Sequence, residues 1–325
     1  MNVIQQATLM TRQRFGRTIQ LYAPLYLSNE CIDICKYCGF SLENKITRKT
    51  LSVEETLKEA GYLLRQGFRH LLLVSGEHPR IVSPKYLKEI ASELKPRPAS
   101  PAATQGGLAS LSIEVAPFSE ENYRELVGAG VDGVVIYQET YDRTRYQEIH
   151  LAGPKKSYDR RLQAPESAAR SGMRRIGMGI LVGLSDWRED LARLIQHVRE
   201  MKKKYWQTEF TVSLPRLRPC AGNYLAPSPV PDDEYLEMIC RVRLALPDVG
   251  IILSTRESPE FRDQLISAGV THMSAGSKTE PGGYLNPEGA EPQFEIEDRR
   301  SAAEVAAAIS AKGYEPVWKD WENRL

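Results

Sequence analysis

The sequence predicts a (β/α)8 barrel of the TIM type in one α/β domain. Three observations carry this: eight short apolar runs, amphipathic segments between most of them, and polar residues gathered directly after the runs. The runs are Ile19 to Leu27, His70 to Val74, Leu111 to Val115, Gly133 to Tyr137, Ile176 to Val182, Phe210 to Leu214, Val249 to Ser254 and His272 to Ala275. Each is long enough for a strand. Alternation repeated eight times favours a closed barrel over an open sheet, and 325 residues with 42% hydrophobic content can bury a core of that size.

Between the runs, Ser52-Val-Glu-Glu55 forms a capping box opening a helix that ends at Gly67, and Pro165 to Gly172 reads as a shorter helix closed by its glycine. Asp186 to Lys204 and Pro231 to Leu246 carry apolar residues at three- and four-residue spacing. The Pro-rich stretch Lys95 to Gly107 follows a helix, so it belongs on the stabilising face as a flexible loop without function. In a barrel, chemistry sits at the C-terminal ends of the strands. The residues there are polar: Ser75-Gly-Glu-His-Pro79, Gln138-Glu-Thr-Tyr141, Pro215-Arg216 and Thr255-Arg-Glu257.

Lys plus Arg (43) nearly cancels Asp plus Glu (42), and no basic stripe is present. Nothing therefore points to nucleic acid or an acidic membrane surface, and small molecules or proteins are the expected partners. No stretch approaches the roughly eighteen apolar residues of a membrane span, and Met1 to Phe15 lacks the apolar run of a signal peptide. A cytoplasmic location is expected, where thiols stay reduced.

The densest signal is Cys31-Ile-Asp-Ile-Cys35-Lys-Tyr-Cys38, three of the five cysteines at the end of the first apolar run. Structural zinc prefers closely spaced pairs with a second pair further along, yet Cys220 and Cys240 stand alone and no two of the five histidines lie at short spacing. A disulfide suits neither the odd count nor the long chain. Three thiolates fit a 4Fe–4S cluster better, with one iron left open for a small chelating molecule, and an open iron implies catalysis.

The CxxxCxxC loop, the aromatic Tyr37 before its last cysteine and Gly76-Glu77 after the second strand resemble the radical S-adenosylmethionine (SAM) superfamily. Pro24-Leu-Tyr-Leu-Ser-Asn29, Tyr37-Cys-Gly-Phe-Ser41, Asn44 to Leu51 and Tyr137-Gln-Glu-Thr-Tyr141 look like its aromatic amino-acid lyase branch, in particular the tyrosine lyases of thiamine biosynthesis. The likeness continues through Gly153-Pro-Lys155, Asp186-Trp-Arg188, Ser213 to Pro219, Ser254-Thr-Arg-Glu257, Met273-Ser-Ala-Gly276 and Pro316 to Trp321, covering essentially the whole chain. It implies a single radical SAM barrel domain over 1–325, whose C-terminal tail from about 278 packs on the barrel. Two departures stand out. The family usually has several additional helices before its first strand, which this chain is read as lacking, and nothing cysteine-bearing follows Cys240, which disfavours the hydrogenase-maturation branch.

The resemblance implies that Cys31, Cys35 and Cys38 hold the cluster and that SAM chelates the open iron. Glu77 is then the candidate for the methionyl ammonium, Arg161 for the region of its carboxylate, Gln138 and Glu139 for the ribose hydroxyls, and Tyr37 for the adenine region. Tyr37 as simple loop packing competes with that role. Glu114, between apolar Ile113 and Val115, points opposite to them and is assigned to the cofactor side; a structural ion pair is the competing reading. For the substrate carboxylate a guanidinium after a barrel strand suits best, which favours Arg256, with Arg216 and Arg218 as rivals. Tyr26 resembles a substrate-side tyrosine of the family, or else fills the barrel core. Trp318 and Trp321 read as packing of the tail.

The activity implied is cleavage of the Cα–Cβ bond of L-tyrosine to 2-iminoacetate (dehydroglycine) and p-cresol, the radical being generated on the cofactor rather than on a side chain. Thiazole synthase and a flavodoxin- or ferredoxin-type reductant are the expected protein partners. Alternatives are a relative acting on tryptophan, one adding a tyrosine-derived radical in deazaflavin synthesis, and a non-enzymatic iron–sulfur redox protein, which would have no use for an open iron.

Overall fold

In the computed structural model, which describes residues 2–95 and 107–319, the eight apolar runs are the eight strands of a closed parallel barrel. The chain begins with helix α1 (Val3–Phe15) and β1 (Thr18–Ser28), followed by the short β2 (Ile34–Cys35). It continues through α2 (Val53–Arg65), β3 (His70–Ser75), α3 (Pro84–Leu94), β4 (Ser110–Glu114), α4 (Glu120–Gly128), β5 (Gly133–Glu139), α5 (Arg143–Ile149) and β6 (His150–Ala152). A 3-10 turn at Pro154–Lys156 leads into α6 (Tyr158–Arg170), β7 (Arg175–Ile180), α7 (Trp187–Lys204), β8 (Glu209–Ser213) and α8 (Asp232–Ala245). The last elements are β9 (Gly250–Leu253), α9 (Pro259–Leu265), β10 (His272–Ser274), α10 (Ala302–Ala311) and β11 (Glu315–Val317). The barrel runs β1-β3-β4-β5-β7-β8-β9-β10, and Gln20↔His272 to Tyr22↔Ser274 close it.

Local chemistry explains why these segments adopt these states. Barrel strands are buried on both faces, so the consecutive residues Ala23, Pro24, Leu25, Tyr26 and Leu27 of β1 are all buried. The box at Ser52 forms as expected: its hydroxyl accepts from Glu55 N at 3.1 Å and its own N–H donates to Glu55 Oε2 at 2.7 Å. Asp186 caps α7 by accepting from Arg188 N and Glu189 N.

The structure corrects two expectations. The helix expected from Pro165 to Gly172 is α6, which starts at Tyr158 and holds Pro165 inside it. Proline at the start of a helix is a common pattern, but here the ring simply removes one interior N–H, and the earlier start places Arg161 in the first turns. Ahead of β1 there is a helix, α1, capped by Asn2. Thr8 Oγ1 ties it to Ser267 O at 2.7 Å, and the Arg243 guanidinium lies 4.5 Å from the Phe15 ring centroid. Most of the Pro-rich stretch, 96–106, and Trp321 lie outside the described residues. Trp318 packs edge-on against Phe68 at 5.4 Å. No helix among the described residues is long and apolar enough to cross a membrane.

After β10 the chain crosses the end of the barrel where the strands terminate. Thr279 O accepts from Gln293 N at 2.9 Å, Thr255 O accepts from Glu297 N at 3.1 Å, and the Tyr284 hydroxyl donates to Pro24 O at 2.6 Å. An ion pair between Arg262 of α9 and Asp298, both side chains fully buried, fastens this segment, and Arg262 also donates to Ser274 O at 2.5 Å. Removing one partner of a buried pair strands the other charge. Asp298→Ala is therefore expected to lower unfolding free energy by about 3–5 kcal/mol in urea titrations; a loss under about 1 kcal/mol would show that the pair does not anchor the segment.

Candidate active site

The loop that carries the cysteines leaves β1 and is held by backbone contacts on several sides. Ile32 N donates to Glu77 O at 3.1 Å beyond β3, Lys36 N to Ile149 O at 3.0 Å, and Gly39 N to Gln293 O at 3.2 Å in the tail. The β2 and β6 segments pair antiparallel, Ile34 with Ala152 and Cys35 with His150. Two glycines permit the approach: a Cβ on Gly76 would lie 2.4 Å from Glu30 O, and one on Gly153 would lie 2.1 Å from Asp33 Oδ1. Arg48 binds the turn internally, donating to Asn29 O at 2.5 Å, Phe40 O at 2.8 Å and Ser41 O at 2.7 Å.

Cys31, Cys35 and Cys38 line one wall of a cavity of about 1260 Å³, mouth included, at the C-terminal end of the barrel. Burial pushes the Cys31 thiol up to about 12 and raises those of Cys35 and Cys38, so the thiolate forms depend on an ion to receive them. No three His, Cys, Asp or Glu side chains among the described residues converge tightly enough for a single metal ion. In a cluster each thiolate binds a different iron, which a wider triangle suits. Cys220 lies close by, its thiol donating to Tyr37 O at 3.3 Å, but it does not line the cavity.

Beside the cysteines sits a balanced group of buried charges. Arg161 donates to Glu77 at 2.5 Å and to Tyr137 O at 2.7 Å; Lys155 Nζ lies 2.7 Å from Glu139 and 3.6 Å from Glu77. Burial opposes the Lys155 charge, but Glu139 and Glu77 outweigh it and raise its pKa well above the ordinary lysine value. Lys155 N also donates to Asp33 Oδ1 at 2.9 Å, while burial, with Glu77 adding repulsion, lifts the Asp33 carboxyl to about 6. The Tyr37 hydroxyl meets His150 Nε2 at 2.8 Å, and His150, lowered to about 3 by burial and by Lys155, stays neutral.

Two further charges that line the cavity, Glu114 and Arg256, lack ion-pair partners among the described residues. Glu114 is raised to about 7, first by burial and then by Glu139, with Arg256 opposing. Arg256 lies 3.4 Å over the Phe294 ring and donates only to Arg216 O, at 3.2 Å. Tyr26 packs beside Cys31 and Cys38, its hydroxyl donating to Gln293 Oε1 at 2.8 Å and its ring edge-on to Phe40.

Of the residues expected from the sequence, Cys31, Cys35, Cys38, Tyr26, Tyr37, Glu77, Glu114, Glu139, Arg161 and Arg256 share this one cavity. Gln138 does not line it: β5 shifts register between Tyr137 and Glu139, both of which do, and Gln138 is buried with both amide atoms unpartnered. The three arginines separate clearly. Arg216 is consumed by Glu257 and Asp232 and lies off the cavity, and Arg218 pairs with Glu297, leaving Arg256 available. Sequence reasoning missed Lys155, although Gly153-Pro-Lys155 had stood out, and it missed Asp33, Gln293 and Phe294. Asp33 carried a signal as the acid between the first two cysteines; Gln293 and Phe294 carried none, because their segment has no periodic pattern.

Residues 25–198 match the Radical SAM superfamily, and residues 213–315 match the Biotin and Thiamin Synthesis associated domain. The chain is 44% identical over 324 residues to 2-iminoacetate synthase of Salmonella typhimurium, covering 99% of this chain and 83% of that protein. It is 43% identical over 322 residues to 2-iminoacetate synthase of Escherichia coli, with coverage of 99% and 83%. Among solved structures it resembles HydG, a maturase of the FeFe-hydrogenase, at TM-score 0.91 and 33% identity, covering 97% of this chain and 68% of HydG. The cysteine wall, the barrel that presents it and the identity along nearly the whole chain agree: this chain belongs to the radical SAM superfamily, in its 2-iminoacetate synthase family.

Proposed function

We propose that this chain is a radical SAM tyrosine lyase that splits L-tyrosine between Cα and Cβ into 2-iminoacetate and p-cresol for thiamine thiazole biosynthesis. Besides the identity to the 2-iminoacetate synthases, the observation that carries the reading is one cavity lined both by the three cysteines and by an arginine without a carboxylate partner among the described residues. Its cofactors are a 4Fe–4S cluster and SAM, which together, on one-electron reduction, supply a 5′-deoxyadenosyl radical.

The donor set fits those groups. Three thiols on one loop provide cluster ligands, and the cavity they line continues past the acids and bases beside them. The quartet of Glu77, Arg161, Lys155 and Glu139 is electrically neutral, so it can hold a zwitterionic amino-acid moiety without an unbalanced buried charge. Within it, Arg161 holds Glu77 in place for an ammonium, and Lys155 orients Glu139, whose free oxygen suits hydroxyls. Glu114 faces the same space as a further acceptor. Tyr37, locked by His150, supplies a flat apolar surface.

On the substrate side, Arg256 grips the tyrosine carboxylate, its guanidinium kept planar against Phe294. Tyr26 and Phe40 wall the substrate off from water on the cluster side, which protects a radical reaction from quenching. Abstraction of a hydrogen from the tyrosine amine leaves a fragmenting Cα–Cβ bond, and the aryl fragment takes up one electron and one proton to become p-cresol. Chain 1–325 acts as one barrel domain in the cytoplasm, drawing electrons from a flavodoxin- or ferredoxin-type donor and passing its product to thiazole synthase.

Anaerobic reconstitution followed by dithionite, SAM and tyrosine is expected to yield 5′-deoxyadenosine, p-cresol and glyoxylate, the hydrolysis product of 2-iminoacetate, by chromatography. The same products' absence with tyrosine, alongside an indole fragment with tryptophan, would reassign the substrate. Cys35→Ala is expected to lose the cluster, seen as loss of its visible absorption and bound iron. Arg256→Ala is expected to weaken tyrosine binding by about 3 kcal/mol, over a hundredfold in Kd, while SAM affinity holds; equal tyrosine affinity by calorimetry would remove Arg256 from the substrate. Glu114 changes charge near pH 7, and a cation needs its ionised form, so SAM affinity should fall as pH drops from 8 to 6. In Glu114→Gln that part of the pH dependence should vanish.

A further inference from the structure

Gln293 stands between two residues that the proposed function uses separately. Its Nε2 donates to Cys38 Sγ at 3.6 Å and its Oε1 accepts from the Tyr26 hydroxyl at 2.8 Å. The backbone there is pinned, since Gln293 N donates to Thr279 O at 2.9 Å and Gln293 O accepts from Gly39 N at 3.2 Å. All three side chains line the cavity.

Chemistry selects this orientation of the amide over the reverse. A thiolate bound to iron offers lone pairs only, so the carbonyl end of Gln293 turned toward it would set acceptor against acceptor. The N–H end therefore faces the sulfur and the carbonyl end faces Tyr26. The single Tyr26 proton is then committed to Gln293, and the lone pairs of its oxygen are left for a donor entering the cavity. A relay results: an incoming donor to the Tyr26 oxygen, the Tyr26 O–H to Gln293 Oε1, and the Gln293 N–H to Cys38 Sγ. Hydrogen bonds in series polarise one another, so occupancy at Tyr26 strengthens the bond at sulfur. Bonds donated to cluster sulfurs stabilise added negative charge and are among the factors that set a cluster's potential.

We infer that Gln293 is a positioning residue that raises the reduction potential of the cluster through Cys38 and transmits occupancy of the substrate pocket, sensed at Tyr26, to that cluster. This rests on the reading of Cys38 as a cluster ligand and of Tyr26 as a substrate neighbour. The electron comes from an external low-potential one-electron donor, and the relay carries no net proton.

The test compares wild type, Gln293→Leu, Gln293→Glu and Tyr26→Phe, each reconstituted and matched for iron content and thermal unfolding. The cluster is titrated potentiometrically with mediators and read by electron paramagnetic resonance, with SAM, with and without tyrosine. Without tyrosine, Gln293→Leu should hold about threefold to tenfold less reduced cluster at a fixed potential, tenfold being 59 mV for one electron. Gln293→Glu, which keeps the side-chain volume but sets a carboxylate against the sulfur, should fall further. Tyrosine should make the wild-type cluster more reducible, and Tyr26→Phe, brought to saturation at a higher tyrosine concentration set by calorimetry, should lack that shift. Unchanged potentials in both Gln293 variants overturn the tuning. A tyrosine-linked shift surviving in Tyr26→Phe, or missing from wild type that binds tyrosine by calorimetry, overturns the relay. Wild type that binds no tyrosine sinks the substrate reading and the relay with it, while the substrate-free comparison still decides the tuning.

Discussion

Everything at this site depends on how closely the cysteine loop is pressed against its neighbours. Backbone meets backbone at Gly76 and at Gly153, where a methyl group would overlap Glu30 O and Ile32 O. Between those contacts the loop has few degrees of freedom left, so three thiols separated by three and two residues face one cavity instead of scattering around a turn. The conformational entropy of such a loop is large. It is offset by many backbone hydrogen bonds drawn from β1, β6, the segment after β3 and the tail, rather than by a single strong interaction.

The same contacts organise the electrostatics. Because Gly153 lies against Asp33, the following turn delivers the Lys155 amide to Asp33 and its ammonium to Glu139. Because α6 begins at Tyr158, Arg161 falls where it can meet both Glu77 and the carbonyl of Tyr137. Isolated ions in this space would suffer severe desolvation, and a closed circuit of two acids and two bases relieves it. Glu114 and Arg256 stand outside the circuit, without ion-pair partners among the described residues, and line the same cavity.

The tail is part of the site. Gln293 and Phe294 touch Tyr26, Cys38 and Arg256, and the segment holding them is fastened to the barrel by the buried Arg262–Asp298 pair. A region without periodic structure thus connects the cluster side of the cavity to the substrate side, and its positioning depends on an ion pair with α9, well away in sequence.

Much of this was legible in the chain itself. Parallel strands buried on both faces must be continuous apolar runs, so the eight strands announced themselves and the barrel followed from their alternation. Three closely spaced thiols and polar residues after strands named the cysteines and several of the charged residues of the cavity wall for the same reason, since local sequence sets which residues end a strand. The boundary of α6 was not legible, because a proline reads alike at a helix start and inside one. Nor was the departure of Gln138 from the wall, which comes from a register shift between β5 and β7 that involves two strands. The ranking of Arg256 over Arg216 and Arg218 required knowing which acids lie beside each, and Glu257, Asp232 and Glu297 reach them only through the fold. By itself the sequence determined the barrel and the cysteine wall, because both are written in short-range patterns. Only the tertiary structure decided which charges are spent on one another and which stay free, because Coulomb interactions and hydrogen bonds depend on distances that chain order does not encode.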